Sequence, residues 1–148
     1  MRPGKTHYDE DFYAWTQAQA ALLRAGKWQD LDAANLAEEI ESLGRQDKRE
    51  LKQRLEALLN QLLTWWAKPE ERCGRWSSQI LGERHEIASL LRDSPSLQAQ
   101  LEELLADAYP LVRRQVLDEL GLFQLPEQCP FKAADVLRDD FWPESQTM

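Results

Sequence analysis

Between Leu36 and Leu62 the apolar residues recur at Leu36, Ile40, Leu43, Leu51, Leu55, Leu58 and Leu62, in steps of 4, 3, 8, 4, 3 and 4. Only an α-helix brings such a spacing onto one face, because successive side chains turn by about 100° along it. The phase survives Gly44, and Asp47 is the one interruption. Glycine in a helix interior costs about 1 kcal/mol relative to alanine, which a long packed stripe absorbs. The pattern therefore predicts one long helix over about 32–68, kinked or broken at Gly44. Asp32 is its N-cap, with Leu31 and Leu36 as the hydrophobic staple. Leu59, Leu63, Trp65 and Trp66 widen the apolar face near its end, and Pro69 stops it by disfavouring the helical region for Lys68.

The remaining elements read in the same way. A first helix is expected from Asp9 to Ala25, capped by Asp9, stapled by Tyr8 and Tyr13, and closed by a left-handed Gly26. Pro69 is placed to open a helix carrying Trp76, Ile80, Leu81, Ile87, Leu90 and Leu91 as far as Arg92, with Gly74 and Gly82 loosening its start. Ser94-Pro95 marks the next beginning, followed by Leu97, Leu101, Leu104, Leu105 and Ala108. Pro110 is expected to end or kink that helix, and Leu111 to Leu120 continue helically until Gly121. Beyond Leu122 the prolines at 126, 130 and 143 punctuate an irregular tail with one short helix around Phe131 to Leu137. Phe131, Phe141 and Trp142 are expected to anchor it. No run of alternating apolar residues suggests a strand. The expected fold is an all-α bundle of about five helices in one domain, 1–148, with a flexible stretch at 1–7 and a tail at 122–148 packed on the bundle.

At 148 residues such a domain can bury a core without cross-links. Cys73 and Cys129 form no close pair, so neither a disulfide framework nor a multi-cysteine zinc site is indicated. The first seven residues have a positive start without an apolar segment behind it, unlike a signal peptide, and no apolar run approaches a membrane span. The cytoplasm is the expected address. A net charge of −8 argues against a general nucleic-acid binder. The charge is uneven: residues 1–44 hold 4 basic and 8 acidic side chains, 45–92 hold 10 and 7, and 93–148 hold 4 and 11. Basic helices packed beside acidic ones account for this asymmetry.

A family resemblance lies in Tyr8-Asp9-Glu10-Asp11-Phe12-Tyr13-Ala14-Trp15 and in Leu36-Ala37-Glu38-Glu39-Ile40-Glu41-Ser42-Leu43-Gly44. It continues through Arg54-Leu55, Leu62-Leu63, Trp65, Pro69-Glu70-Glu71-Arg72, Trp76, Arg84 and Ile87. It closes on Asp93-Ser94-Pro95-Ser96-Leu97 and Tyr109-Pro110. In these segments the chain resembles a bacterial family catalogued as domain of unknown function 29. The resemblance implies a helical protein of a kind common in cyanobacteria and proteobacteria. It brings no established activity and no catalytic residues.

The search for chemistry yields three candidates. Glu38 and Glu41 share a helix face, as do Glu83 and Glu86, and with His85 they suggest carboxylates holding a divalent metal in a nucleotide phosphohydrolase. The all-α pyrophosphohydrolase pattern, however, needs a Glu-x-x-Asp on the next helix, and residues 45–92 contain none. Pairing of Glu38, Glu39 and Glu41 with Arg45 and Arg49 is the simpler account. Neither His7 nor His85 follows a glutamate by three, as a di-iron bundle requires. No metal or cofactor is therefore expected. Lys48, Arg49, Lys52, Arg54, Arg72 and Arg75 form a basic middle segment that would give weak nucleic-acid contact. Cys73, beside Arg72, has no base at a workable spacing, and no serine sits in an elbow motif.

The most distinctive local feature is Trp65-Trp66 followed by Arg72, Arg75 and Trp76. Neighbouring residues on a helix point about 100° apart, so both rings are covered only if neighbours cover two sides. Trp and Arg are also the residues enriched at interface hot spots. Core packing of the three rings is the ordinary account. The partner-binding candidates are thus Trp65, Trp66, Arg72, Arg75 and Trp76, and the expected function is a non-catalytic, self-associating or partner-binding helical module.

Overall fold

In a computed structural model that describes residues 8–144, the chain is all-α. Among the described residues there are five α-helices: α1 (Phe12–Ala25), α2 (Ala33–Ala67), α3 (Gly74–Asp93), α4 (Leu101–Leu120) and α5 (Ala133–Val136). Short 3-10 turns at Trp28–Asp30, Pro69–Glu71 and Pro95–Gln100 precede α2, α3 and α4. The expectation for residues 1–7, His7 included, falls outside the described residues. The chain forms two compact units, Met1–Gln46 and Asp47–Met148, and the division falls inside α2.

In the first unit α1 starts at Phe12, not Asp9. Asp11 is the cap, its carboxylate accepting from the Ala14 amide at 3.0 Å. Leaving residues 8–10 outside the helix frees Tyr8 to pack edge-on against Phe12 and Trp15 and to donate its hydroxyl proton to Glu39. Gly26 closes α1 as expected, at φ 71°. Asp32 stands at the start of α2 and accepts from the Trp15 indole at 3.0 Å and from Asn35 Nδ2 at 2.8 Å. The buried Gln19 accepts from the Asp32 amide at 2.8 Å.

α2 continues through Gly44 without the break that glycine allowed. A Cβ at Gly44 would meet nothing within 4 Å, so glycine there answers no crowding inside the chain.

The second unit carries the main core. Leu51, Leu55, Leu58, Leu59, Leu62 and Leu63 from α2 meet Ile80 and Ile87 from α3 and Leu101, Leu104, Leu105, Tyr109, Val112 and Val116 from α4. The Pro69–Glu71 turn does not run on into α3, which starts at Gly74. Arg72 explains the interruption: its Nε donates to the Trp65 carbonyl at 2.8 Å, satisfying an open acceptor at the end of α2. In the same way Pro95 opens a 3-10 turn and α4 begins only at Leu101. Pro110 neither ends α4 nor divides it. Pro110 and Ala106 are both exposed, so the carbonyl that proline deprives of a donor lies on the wet side of the helix. Gly121 closes α4 at φ 63°.

The tail is irregular apart from α5. It contributes Leu125, Ala133 and Val136 to the core, with Phe131, Phe141 and Trp142 packed against it. Arg84, 2% exposed, holds the tail in place. Its three guanidinium nitrogens donate to the carbonyls of Val136 (2.8 Å), Asp139 (3.4 Å) and Phe141 (2.6 Å), and its plane lies 5.2 Å from the Trp142 ring centroid. Burial lowers the Arg84 pKa from its ordinary value, partly countered by Asp139 and Asp140.

Candidate functional site

Trp65 and Trp66 are half-buried, and each meets a ring of the tail. Trp65 lies 4.8 Å from Trp142 and Trp66 5.7 Å from Phe131. Arg72 covers Trp65 at 5.0 Å and also donates to the Pro143 carbonyl at 3.3 Å. Three of the five partner-binding candidates are therefore engaged in joining the end of α2 to the tail. Arg75 is exposed. Trp76 is half-buried on the wall of a cleft of about 190 Å³, with Asn60, Gln61, Gln79 and Glu119. The five residues do not form one exposed patch.

The carboxylate candidates turn to arginines. Arg45 reaches Glu38 at 2.9 Å and Glu41 at 3.8 Å. Arg54 reaches Glu83 at 3.5 Å and Glu86 at 4.0 Å. Among the described residues no three His, Cys, Asp or Glu side chains are grouped closely enough to hold a metal ion. His85 is exposed. Cys129 is half-buried, with its thiol donating to the Phe131 carbonyl at 3.4 Å, and burial raises its pKa, which disfavours the thiolate. The basic candidates Lys48 and Arg49 are exposed on α2, whereas Arg54 and Arg72 are engaged as described.

The unaccounted chemistry lies in the first unit. In the part of α2 that belongs to this unit, residues 33–46, only Asn35, Leu36, Glu39 and Ser42 are partly shielded. Ile40 and Leu43, which belong to the same stripe as the buried leucines, are 66% and 62% exposed. At about 100° per residue, Ala33, Leu36, Ala37, Ile40, Leu43 and Gly44 fall on one sector of the helix, roughly a third of its circumference. Phe12 and Leu23 of α1 are also exposed, at 49% and 43%. The sequence signalled this sector through its periodicity, but periodicity says only that a face is apolar, not what covers it.

The model of the family described as domain of unknown function DUF29 matches residues 7–142. The chain belongs to the DUF29 family. Four residues of the segments that carry the resemblance sit at structural junctions of this DUF29 chain. Tyr8 and Trp15 tie α1 to α2, Arg72 caps α2, and Arg84 secures the tail. No curated protein and no solved structure matches the chain. No helix among the described residues is long and apolar enough to cross a membrane.

Proposed function

We propose that this DUF29 chain is a non-catalytic helical protein-interaction module of the bacterial cytoplasm. The observation that supports this reading is the exposure of Ile40 and Leu43 on the helix whose later leucines build the core. Single exposed apolar residues are ordinary on a protein surface. Two of them a turn apart on one helix sector support the reading of that sector as an interface.

The test is cross-linking of the full chain in native bacterial lysate, with mass spectrometry locating the linked residues, beside light scattering on the purified chain. Cross-links from the exposed side of residues 36–49 to another polypeptide are expected, with loss of those links in the Ile40→Glu/Leu43→Glu variant. A chain that stays monomeric and shows no intermolecular link from this region would sink the reading.

A further inference from the structure

We propose that a cleft within the second unit binds adenine, as the free base or its nucleoside, with the base laid on Trp76. The cleft holds about 190 Å³ and draws its walls from three helices. Asn60, Gln61 and Thr64 come from one turn near the end of α2, Trp76 and Gln79 from the first two turns of α3, and Glu119 from the last turn of α4. Most of these side chains are idle within the chain. No side-chain hydrogen bond or ion pair joins Asn60, Gln61, Gln79 or Glu119 to another described residue. No other aromatic ring or arginine among the described residues stacks on Trp76, whereas Trp65 meets Trp142 and Arg72, and Trp66 meets Phe131. Gln61 Oε1 is shut away from solvent and has no donor.

The chemistry of the walls narrows the ligand. No lysine, arginine or histidine lines the cleft, and an adjoining depression that shares Asn60 and Gln61 adds Gln53, Glu56 and Gln115 and again no basic group. A phosphate or carboxylate there finds no counter-charge, so the ligand is not an anion. Five of the chain's 15 Asn and Gln residues line these two depressions. A primary amide presents an N–H donor beside a C=O acceptor, which matches the N6 amine and N7 of adenine as a pair. Glu119 when ionised accepts only, and the N6 amine has a second hydrogen for it. The flat heterocycle then covers the indole, as unstacked bases cover aromatic side chains. A volume of about 190 Å³ lies below the roughly 300–1,000 Å³ that encloses a drug-sized ligand, so the base enters and a ribose stays outside. A ligand that turns the Gln61 head group outward also gives its buried oxygen the donor it lacks.

The experiment is calorimetric titration of the full chain with adenosine. Saturable binding is expected, with a dissociation constant on the order of 0.1 mM for so small a ligand. Inosine carries a keto oxygen where adenosine has the amine, and should bind at least about tenfold more weakly. Adenosine monophosphate should also bind more weakly than adenosine, because no basic side chain lines either depression. Gln79→Ala and Glu119→Gln replace exposed residues, so both should keep the native helical circular dichroism while weakening adenosine severalfold. Trp76→Leu should abolish saturation. Absence of saturable binding overturns the proposal, as does equal affinity for inosine or tighter binding of adenosine monophosphate. Full affinity in both Gln79→Ala and Glu119→Gln overturns it as well. An alkylammonium ion or a hexose that saturates where adenosine does not assigns the cleft to a different ligand and removes adenine.

Discussion

Arg84 and Tyr109 show how single polar side chains fix segments that lack regular structure. A charged guanidinium is tolerated in an apolar interior only where its donors are met, and Arg84 meets carbonyls at Val136, Asp139 and Phe141. Arg84→Met keeps most of the bulk but leaves those acceptors without a donor. The expected cost is roughly 3 kcal/mol, read as a lower urea midpoint, with proteolysis appearing first around residues 133–142. Arg84→Lys retains the charge without the planar fork and should recover only part of the loss. Tyr109 is 2% exposed, and its hydroxyl donates to the Pro126 carbonyl at 2.5 Å. Burial pushes its pKa up to about 12, from an ordinary 10.0. The folded chain therefore holds this proton more tightly than the unfolded chain. The stabilisation is complete below about pH 10 and is lost as the pH rises through about 12. Tyr8, hydrogen-bonded to Glu39, is likewise raised to about 12 and adds to the same window. Denaturation midpoints should fall between those pH values, and Tyr109→Phe should make the fall shallower.

At the scale of elements, helix boundaries followed side-chain partners more than local propensity. Three acidic residues precede α1, and Asp11 became the cap while Tyr8 took up its contacts with Trp15 and Glu39. Pro69 and Pro95 each opened a short 3-10 segment, of three and six residues, instead of the α-helix itself. The glycines separate by backbone geometry. Gly26 holds φ 71°, which side chains with a Cβ resist, and Gly82 lies within α3 with nothing within 4 Å of an added Cβ. Gly82→Ala is expected to stabilise the chain by about 0.5–1 kcal/mol, and Gly26→Ala to destabilise it by about 1–2 kcal/mol. Paired thermal unfolding curves check both signs.

For the whole molecule, α2 has two different lives. Its part from Leu51 onward is the centre of the core, and its residues 43–50 are all exposed. Backbone amides within residues 51–63 should open only with global unfolding, whereas amides at 40–50 should exchange orders of magnitude faster in a dilute monomer. Uniform protection along α2 at every dilution would refute this division.

The sequence by itself determined the all-α class, the long helix, the left-handed glycines that close α1 and α4, and membership of the family. These depend on local rules: a 3.6-residue period, the φ preferences of glycine, and ordered motifs along the chain. Only the tertiary structure decided that Trp65, Trp66 and Arg72 serve the junction with the tail. Only it showed that Arg84 is a buried clamp and that Ile40 and Leu43 remain uncovered. Periodicity assigns every residue of a stripe to one side of a helix, but burial depends on whether another surface stands opposite. The leucines after residue 50 find α3 and α4, and Ile40 and Leu43 keep the same phase without such cover.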